Sequence, residues 1–305
     1  MPAPLTIRLH PNDNVVVARM DILPNTKVEG EVAALTRVPP GHKILTRAVK
    51  QGEPLRKYNQ IIGFATDDLP PGTHIHTHNC VMGDFERDYA FCADAHPTPY
   101  ITPPATFMGY RRGDGRAATR NYIGIVTTVN CSAATSRMIA AKLEPLLAQY
   151  PNIDGVVPLT HGGGCGMAAS GLEMDVLRRT LAGYTRHANM AAVVMLGLGC
   201  ETNQISGLMD AEGLQEGPKL IPMAIQDEGG VSKTVMRAVG FLKELLPEAN
   251  KVTRVPLPVS DLILALQCGG SDGYSGISAN PALGAAVDLL VRHGGSAVLS
   301  ETPEI

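Results

Sequence analysis

Apolar residues follow two different patterns along the chain, and the change falls near residue 119. Before it, short apolar runs are separated by turns rich in Gly, Pro and Asn, at 5–9, 15–18, 43–49 and 61–65. Many short strands joined by such turns are typical of a small all-β domain. After it, apolar runs of strand length alternate with segments of helical periodicity. Repeated strand–helix units of this kind predict a parallel sheet with helices on both faces.

The alternating part of the chain predicts a specific set of elements. Strands are expected at 122–128, 153–160, 191–198 and 219–224. Helices are expected at 133–149, 168–187, 203–214 and 231–246, and Pro145 should interrupt the first of them. After a proline-bearing connector at 252–259, a strand at 262–266 precedes a helix that Asn280 caps and Gly294 ends, and a last strand follows at 297–300.

These patterns predict a multidomain chain. Its fold class is a small N-terminal all-β domain, followed by an α/β, Rossmann-like parallel-sheet domain and the start of a second α/β domain. The expected divisions are the β domain at 1–95, a Pro/Arg-rich linker at 96–118, the α/β domain at 119–250 and an incomplete last part at 251–305. A βαβ fragment this short cannot bury both faces of its sheet. We therefore expect its remainder to be missing, or the fragment to dock on the preceding sheet.

Composition narrows the functional classes. The 305 residues are 44% hydrophobic with a formal net charge of −3, which is ordinary for a soluble globular protein. There is no basic excess and only 4% of residues are aromatic, so we expect no nucleic-acid partner. No apolar run reaches membrane-spanning length and no signal-peptide pattern is present, so a cytoplasmic protein without membrane contact is expected. In that reducing compartment, the six dispersed cysteines are buried thiols, catalytic groups or metal ligands.

Candidate chemistry collects where the predicted strands of the α/β domain end. Cys131 follows the first strand, Cys165 follows the second and Cys200 follows the third. The carboxyl ends of neighbouring parallel strands share one edge, where ligands bind in open α/β sheets. A buried cysteine is usually a small core residue. Three cysteines delivered to one edge favour a functional interpretation instead.

The glycine-rich segment 161–166 is the central motif of the chain. His161 and Cys165 are the candidate catalytic groups, because both are able to take part in proton or metal chemistry. Gly163 and Gly164, together with Asn130 in the preceding loop, are candidates for binding an anionic substrate. The alternative is a tight turn that needs glycine, although four glycines exceed that need. The spacing fits neither a dinucleotide fingerprint nor a Walker loop, so we expect neither NAD nor ATP.

Three histidines alternate along a predicted strand at 72–79 and would share one of its faces. Imidazoles on one face are suited to a borderline metal ion, and a polar solvated face is the alternative. We predict His74 and His76 as metal ligands and consider His78 as a third. The other histidines considered show no clustering and are interpreted as incidental: His10, His42 and His96.

Four arginines stand within ten residues just before the first strand of the α/β domain: Arg111, Arg112, Arg116 and Arg120. Guanidinium groups bind carboxylates through two parallel hydrogen bonds, so we predict that these arginines bind substrate. A solvated basic loop is the alternative interpretation.

A further Cys/Gly loop follows the predicted strand at 262–266. It contains Cys268, a candidate metal ligand, and Ser271 and Asp272, candidates for substrate binding. We expect this loop, the arginines and the glycine-rich segment to converge on one electropositive pocket.

The chain resembles the altronate/galactarate dehydratase family over nearly its whole length. G-T-H-I-H-T-H-N looks like the end of that family's SAF-type β-clip domain. The motifs that resemble its sugar-acid dehydratase core are G-Y-R-R-G-D-G-R-A-A-T-R-N-Y, T-V-N-C-S, H-G-G-G-C-G-M, G-L-G-C-E-T-N-Q and Q-C-G-G-S-D-G-Y-S-G-I-S-A-N-P. Family members are longer, with a complete C-terminal α/β domain after a segment like S-E-T-P-E-I. The chain is therefore expected to be truncated or to have a partner that supplies the rest, and a homo-oligomer is the other assembly considered.

The resemblance implies a hydro-lyase of carbohydrate acid catabolism. Such an enzyme removes water from an aldonate or aldarate, for example altronate or galactarate, to give a 2-keto-3-deoxy acid. The resemblance also implies a divalent metal, foremost Fe²⁺, with Mn²⁺ or Mg²⁺ as alternatives. Cys165, Cys200 and Cys268 are then iron ligands or loop-packing thiols. An iron–sulfur cluster is the less favoured alternative, because the cysteine spacing matches no known run.

Two other functions stay open on the sequence. One is a lyase of the sulfolactate sulfo-lyase type, which belongs to the same larger group. The other is a truncated, non-catalytic protein that binds sugar acids. A nucleotide-binding module is disfavoured by the glycine spacing.

Overall fold

The computed structural model describes residues 4–86, 90, 92–93, 95–267, 269–270 and 272–300. The described residues form two compact units. The first unit comprises those of Met1–Ile101, Ile263–Arg292 and Ser296–Ile305, and the second comprises Thr102–Leu262 with His293–Gly295. Within the described part, no helix is both long enough and apolar enough to cross a membrane.

Short antiparallel strands build the N-terminal part of the first unit, as predicted. They are β1 (Thr6–Ile7), β2 (Val15–Ala18), β3 (Lys27–Glu29), β4 (Val32–Ala33), β5 (Lys43–Leu45), β6 (Pro54–Lys57), β7 (Gln60–Ala65), β8 (His74–Ile75) and β9 (Cys80–Val81). The sheets have the orders β1-β2-β5-β8, β3-β4 and β6-β7-β9. Val15 and Leu45 pack into one buried cluster while Val16 and Ile44 pack into another. Successive residues of a strand point to opposite faces, so two short strands supply both cores.

The predicted strand at 72–79 is wrong in its length. Only His74–Ile75 is a strand, and the chain turns immediately afterwards. The Asn79 side chain holds that turn, because its Oδ1 accepts a hydrogen bond from the backbone N–H of His76 at 3.0 Å. Its Nδ2 donates to the carbonyl of His74 at 2.9 Å. The three histidines therefore do not lie along one strand face.

Strands and helices alternate in the second unit, which confirms the predicted α/β organisation. Its strands are β10 (Thr106–Arg111), β11 (Ala117–Ala118), β12 (Tyr122–Thr127), β13 (Gly155–Leu159), β14 (Met190–Gly197), β15 (Leu220–Ala224) and β16 (Val255–Pro258). Its helices are α1 (Ala133–Leu143), α2 (Leu172–Thr185), α3 (Ile205–Glu212) and α4 (Val231–Ala249). Four strands pair in parallel in the order β13-β12-β14-β15. Pro145 has the predicted effect, since α1 ends at Leu143 and a 3₁₀ segment Glu144–Gln149 follows.

Helices cover both faces of this parallel sheet. On one face, Ile123 and Ile125 of β12 pack with residues of α1 and α4, including Leu143 and Leu242. On the other face, Val126 and Met195 pack with residues of α2 and α3. Continuously apolar strands are buried on both sides in this way, which explains their lack of polar alternation.

The predicted linker at 96–118 and the predicted connector at 252–259 are both wrong in part. Thr106–Arg111 pairs antiparallel with Ala117–Ala118 on one side and with Val255–Pro258 on the other. The resulting three-stranded sheet has the order β11-β10-β16, so β16 is an edge strand. An edge strand needs hydrogen bonds on one side only and therefore tolerates Pro256 and Pro258.

A βαβ unit ends the described chain. Strand β17 (Ile263–Leu266) pairs in parallel with β18 (Ser296–Leu299), and α5 (Asn280–Arg292) connects them. The predicted cap at Asn280 is wrong, because a π-helical turn Ser275–Ala279 leads into the helix and Asn280 itself is helical. Gly294 adopts φ +84° just past the helix, as expected for its end. Ile263 is 74% exposed and Leu299 is 62% exposed.

Candidate functional site

The carboxyl ends of β13, β12 and β14 lie side by side and deliver three loops to one edge of the parallel sheet. These loops are 128–132 after β12, 160–166 after β13 and 198–203 after β14. The strand order turns around at β12, because β13 lies on one side of it and β14 on the other. In open α/β sheets, the crevice outside the strand ends at such a point is the usual ligand site. We call these three segments the carboxyl-edge loops.

Hydrogen bonds tie the carboxyl-edge loops to one another. The backbone N–H of Asn130 donates to the carbonyl of Gly163 at 3.0 Å, and that of Asn203 donates to the carbonyl of Gly164 at 3.1 Å. The Nδ2 of Asn203 donates to the carbonyl of Thr128 at 3.1 Å. The loop after β13 is thus fastened to both of the others, and the three form one connected surface.

Gly164 is the point of closest approach between two of these loops. Its φ is +92°, and a Cβ added there would lie 2.2 Å from the carbonyl oxygen of Thr128. Only glycine allows this approach. The N–H groups of Gly163 and Gly164 are directed at His161 Nδ1 and Met167 Sδ, at 3.1 and 3.3 Å. The two glycines predicted to bind substrate therefore first serve to build the loop.

Glu201 is a buried carboxylate that anchors the third loop. Its side chain accepts hydrogen bonds from Thr128 Oγ1 at 2.7 Å and from the backbone N–H groups of Leu198 and Gly199 at 3.2 and 2.6 Å. The residue is only 3% exposed. A carboxylate taken out of water needs such donors, and here they come from the ends of β12 and β14. The sequence analysis did not predict a role for Glu201. Its position could have indicated one, because it is a charged residue directly after an apolar strand.

His161 is half-buried and both of its ring nitrogens have partners. Nε2 lies 2.9 Å from the carbonyl of Thr127, and Nδ1 accepts the N–H of Gly163. Because a carbonyl only accepts, the bond to Thr127 assigns a proton to Nε2, and Nδ1 is the acceptor. His161 thus joins the end of β12 to the glycine-rich loop.

Cysteine thiols lie on all three carboxyl-edge loops and are exposed: Cys131, Cys165 and Cys200. The alternative that they are core residues is therefore wrong. An added Cβ at Gly166, which follows Cys165, would meet no atom within 4 Å, whereas one at Gly164, which precedes it, would clash with Thr128. Two other predicted site residues, Cys268 and Ser271, lie outside the described residues.

Two arginines that were not predicted from the sequence lie at the same edge. Arg137 of α1 donates to Thr160 Oγ1 at 3.2 Å, and Arg178 of α2 donates to Asn203 Oδ1 at 3.1 Å. Arg137 is exposed. A signal was present, since both stand in the N-terminal half of a helix that follows one of the carboxyl-edge loops.

The predicted convergence of the N-terminal arginines with the glycine-rich loop is wrong. Arg111, Arg112, Arg116 and Arg120 precede β12 and therefore lie at the amino edge of the sheet, opposite the carboxyl-edge loops. Arg112 donates to Asn121 Oδ1 and to the carbonyls of Ala188 and Arg120 at 2.6–3.1 Å. Burial lowers the pKa of its guanidinium. The N–H groups of Arg112 thus donate to other residues of this chain and are not directed at a substrate.

The other three arginines of this segment also have local partners. Arg111 pairs with Asp261 at 3.0 Å, and Arg116 pairs with Asp114 at 2.8 Å. Arg120 donates to the neighbouring carbonyl of Thr119 at 3.2 Å. The glycine and arginine pattern at 109–121 therefore specifies a structural corner at the amino ends of β12 and β14.

Four histidines cluster in the first unit, and one of them is His42, which was expected to be incidental. The rings of His42, His74, His76 and His78 have centroid separations between 5.0 and 6.3 Å. His42 stands directly before β5, and the pairing of β5 with β8 brings it beside His74. His42 Nδ1 and His74 Nε2 are 2.8 Å apart and share a hydrogen bond. Burial, with the neighbouring histidines, lowers the pKa of His74 to about 4, and burial also lowers that of His42.

The histidine cluster does not form a metal-ligand set in this arrangement. His42 and His76 stack with their planes 10° apart, so their nitrogen lone pairs do not point to a common centre. Among the described residues, no group of three or more His, Cys, Asp or Glu side chains is arranged to hold a metal ion. The predicted ligand pair His74 and His76 is thus part of a stacked and hydrogen-bonded array.

Asp272, another predicted substrate ligand, holds its own turn. Its carboxylate accepts hydrogen bonds from the backbone N–H groups of Tyr274 and Ser275 at 2.7 and 3.1 Å. These bonds lower the pKa of its carboxyl group. Within the same unit, the Tyr274 hydroxyl lies 3.0 Å from the carbonyl of Ala18, which docks this turn on the β domain.

Three family models match the chain in order. The altronate/galactarate dehydratase SAF domain matches residues 4–83. The second domain of D-galactarate dehydratase/altronate hydrolase matches 109–250, and the C-terminal part of D-galactarate/altronate dehydratase matches 259–305.

Several characterised proteins are similar to this chain in sequence. The altronate dehydratase of Bacillus subtilis is 33% identical over 304 residues, which is 98% of this chain and 60% of the relative. The galactarate dehydratase (L-threo-forming) of Escherichia coli is 32% identical over 316 residues, with 100% and 60% covered. The (2R)-sulfolactate sulfo-lyase subunit beta of Chromohalobacter salexigens is 31% identical over 200 residues, with 66% and 47% covered.

The chain thus spans 60% of the length of the two dehydratases it matches. Its three matched segments follow the family's domain order, and the alignments run along nearly all of it. This protein belongs to the altronate/galactarate dehydratase family.

Proposed function

We propose that this chain is a sugar-acid dehydratase or the larger part of one. The observation that carries the proposal is the joined surface of the carboxyl-edge loops, which brings His161, three exposed thiols and Arg137 to the ligand edge of the sheet. The relatives named altronate and galactarate dehydratase give the reaction class: loss of water from an aldonate or aldarate. The turn of strand order at β12 supports a Rossmann-like description of this domain.

The reaction sets clear chemical requirements. The C–H bond next to a carboxylate is weakly acidic, so the enediolate formed by its deprotonation must be stabilised by positive charge. The departing hydroxyl at the next carbon needs a proton or a Lewis acid. A divalent metal, foremost Fe²⁺, would supply Lewis acidity. At the carboxyl edge, the exposed thiols of Cys165 and Cys200 would be its candidate ligands.

Arg137 is our candidate for the substrate carboxylate. It is exposed, and its guanidinium already contacts the loop residue before His161. A guanidinium holds a carboxylate with two parallel hydrogen bonds and keeps its charge at every relevant pH. The four arginines predicted from the sequence are assigned to the structural corner at the opposite edge.

His161 and Cys165 remain the candidate catalytic groups. In the described arrangement, the Nδ1 lone pair of His161 accepts only the N–H of Gly163, at 3.1 Å. A shift of the glycine-rich loop on substrate binding would free this lone pair to take a proton. The Nε2–H bond to the carbonyl of Thr127 would then hold the ring in place while Nδ1 acts as the base.

A substrate panel tests the proposed function. The purified chain, loaded anaerobically with Fe²⁺, is incubated separately with altronate, galactarate, other aldonates and aldarates, and sulfolactate. We expect a 2-keto-3-deoxy acid from at least one sugar acid and no sulfite from sulfolactate. Sulfite release without a keto acid would favour the sulfo-lyase alternative, to which the matched sulfolactate sulfo-lyase subunits point. Thermal stabilisation by a sugar acid without turnover would favour the non-catalytic binding protein.

A further inference from the structure

We propose that a polar cleft in the β domain binds a small polar anion with two negative charges, as a phosphate monoester or a dicarboxylate has. The cleft lies within the first unit and has a volume of about 720 Å³. Its lining includes three arginines and one acidic residue: Arg8, Arg47, Arg56 and Asp13. The inference goes beyond the proposed function, because none of these residues belongs to the carboxyl-edge loops.

Arg8 is neutralised within the protein and builds part of the cleft. Its guanidinium donates to both carboxylate oxygens of Glu29. This contact raises the pKa of Arg8 and lowers that of Glu29, so both groups are charged. Arg8 also donates to the carbonyl of Asp13 and, at 3.0 Å, to Thr46 Oγ1. It thereby joins the turn after β1 to the end of β5 and leaves the anion to the other two arginines.

The carboxylate of Asp13 is likewise used inside the protein, and the residue is only 4% exposed. It accepts the backbone N–H groups of His10, Tyr58 and Asn59 at 3.0, 3.1 and 2.7 Å. Tyr58 and Asn59 adopt φ of +58° and +60°, which residues with a Cβ rarely do, so these bonds stabilise the turn between β6 and β7. In the described part of the chain, Asp13 forms no ion pair with the arginines of the lining.

Arg47 and Arg56 carry the positive charge that remains for a ligand. Arg47 is exposed just after β5, and its side chain has no hydrogen bond or ion pair with any residue that the structure describes. The half-buried Arg56 on β6 donates weakly, at 3.4 Å, to the carbonyl of Asn59. Its backbone N–H is fixed by Asn14 Oδ1 at 2.7 Å. Two guanidinium groups that line one cleft without a carboxylate partner favour a ligand with two negative charges.

The uncharged part of the lining suits a ligand with a polar body. The side-chain amides of Asn12 and Asn59 are hydrogen-bonded to each other at 3.2 Å, and Thr46 adds a hydroxyl group. Amides and hydroxyls can both donate and accept hydrogen bonds. Apart from Pro11, the described residues of the lining are polar or charged. An anion with a large apolar body would therefore gain little here.

The test is binding of simple anions to the whole chain, measured by calorimetry in a phosphate-free buffer at about pH 8, where phosphate carries close to two charges. Inorganic phosphate and succinate are titrated separately, with chloride at equal ionic strength as the reference for screening. We expect saturable binding of at least one dianion. Arg47→Ala and Arg56→Ala should each weaken it about tenfold or more. Arg37→Ala should leave it nearly unchanged, because it removes the same charge from the same unit at an exposed arginine paired with Asp21.

Binding of phosphate alone would assign a phosphate-bearing ligand, and binding of succinate alone would assign a dicarboxylate. The proposal is overturned if the wild-type chain binds neither dianion, if chloride binds equally well, or if either cleft variant keeps full affinity. Equal weakening by Arg37→Ala would also overturn it. Circular dichroism checks folding, and the exposed Arg47→Ala change should leave the melting temperature nearly unaltered. A chain that binds the dianion but converts no sugar acid would contradict the dehydratase function and leave the cleft site standing.

Discussion

At the scale of single residues, Gly164 is the position in the carboxyl-edge loops where a larger side chain is expected to do most harm. Gly164→Ala introduces a Cβ at φ +92° that would lie 2.2 Å from the carbonyl of Thr128. We expect a loss of about 2 kcal/mol or more in the free energy of unfolding, because a strained backbone alone costs roughly 1–3 kcal/mol. Urea denaturation measures it.

Gly162→Ala is the matched control for that experiment. Gly162 stands two residues away in the same loop, and a Cβ added there would meet no atom within 4 Å and no strain from a positive φ. Its replacement should change stability by less than about 0.5 kcal/mol. Equal effects of the two substitutions would contradict the close packing of the loop on β12.

His74 gives the chain a specific dependence on pH. Its pKa is lowered from 6.5 to about 4 by burial and by the facing groups His42, His76, His78 and Lys43. Between these two values the unfolded chain binds a proton that the native chain does not. The native state therefore loses stability as the pH falls from about 6.5 towards 4.

His74→Gln should remove part of that loss. The urea midpoints of wild type and variant, both treated with a chelator, are compared at pH 7 and pH 5. The wild-type midpoint should fall more than that of the variant. A wild type that grows more stable on acidification, or an equal fall in both proteins, would contradict the lowered pKa of this half-buried ring.

At the scale of elements, Glu201 fastens the end of β14 to the end of β12. Glu201→Gln keeps the size of the side chain but turns one of its acceptors into a donor, which then faces the backbone N–H of Leu198 or of Gly199. Leaving a buried partner unsatisfied costs roughly 1–3 kcal/mol, and we expect a loss of that size. Glu244→Gln on α4 is the control, since no hydrogen bond or ion pair to this side chain was found among the described residues. An unchanged unfolding midpoint in Glu201→Gln would contradict the anchoring role.

Strands and helices were largely predictable from the sequence because the pattern that specifies them is local. The apolar run at 122–128 and the helical period at 231–246 both reappear, as Tyr122–Thr127 and Val231–Ala249. The pairing of Thr106–Arg111 with Val255–Pro258 was not predictable, because it joins segments some 150 residues apart. The same reason explains His42, which meets His74 only through the pairing of β5 with β8.

The substrate-binding role predicted for the N-terminal arginines was wrong because the sequence does not show at which edge of the sheet their loop lies. A charge-rich segment before a strand and one after a strand look alike in sequence, yet they lie at opposite ends of the sheet. Arg111, Arg112 and Arg116 precede β12 in the sequence and lie at the amino edge. Their guanidinium groups bind backbone carbonyls and acidic side chains of this chain. The cysteine positions were correctly predicted to share an edge, because all three follow parallel strands.

Arg137→Ala and Arg112→Ala should therefore have opposite consequences. Arg137→Ala is expected to weaken sugar-acid binding about tenfold or more, with little change in stability, because Arg137 is exposed and has one weak side-chain partner. Arg112→Ala is expected to lower stability by about 1–3 kcal/mol and to leave binding intact, because it removes the donor to the Oδ1 atom of the buried Asn121. Calorimetric titration and urea denaturation separate the two effects. Loss of binding in Arg112→Ala at full folding would contradict the assignment.

At the scale of the whole molecule, the central claim is that sugar acids bind at the carboxyl-edge loops of the second unit. Hydrogen exchange followed by mass spectrometry tests it most directly, with the chain at saturating altronate or galactarate. We expect slower exchange in segments 128–132, 160–166 and 198–203, with no change in 111–120. Protection confined to 111–120, or no protection of the three loops by a sugar acid that demonstrably binds, would contradict it.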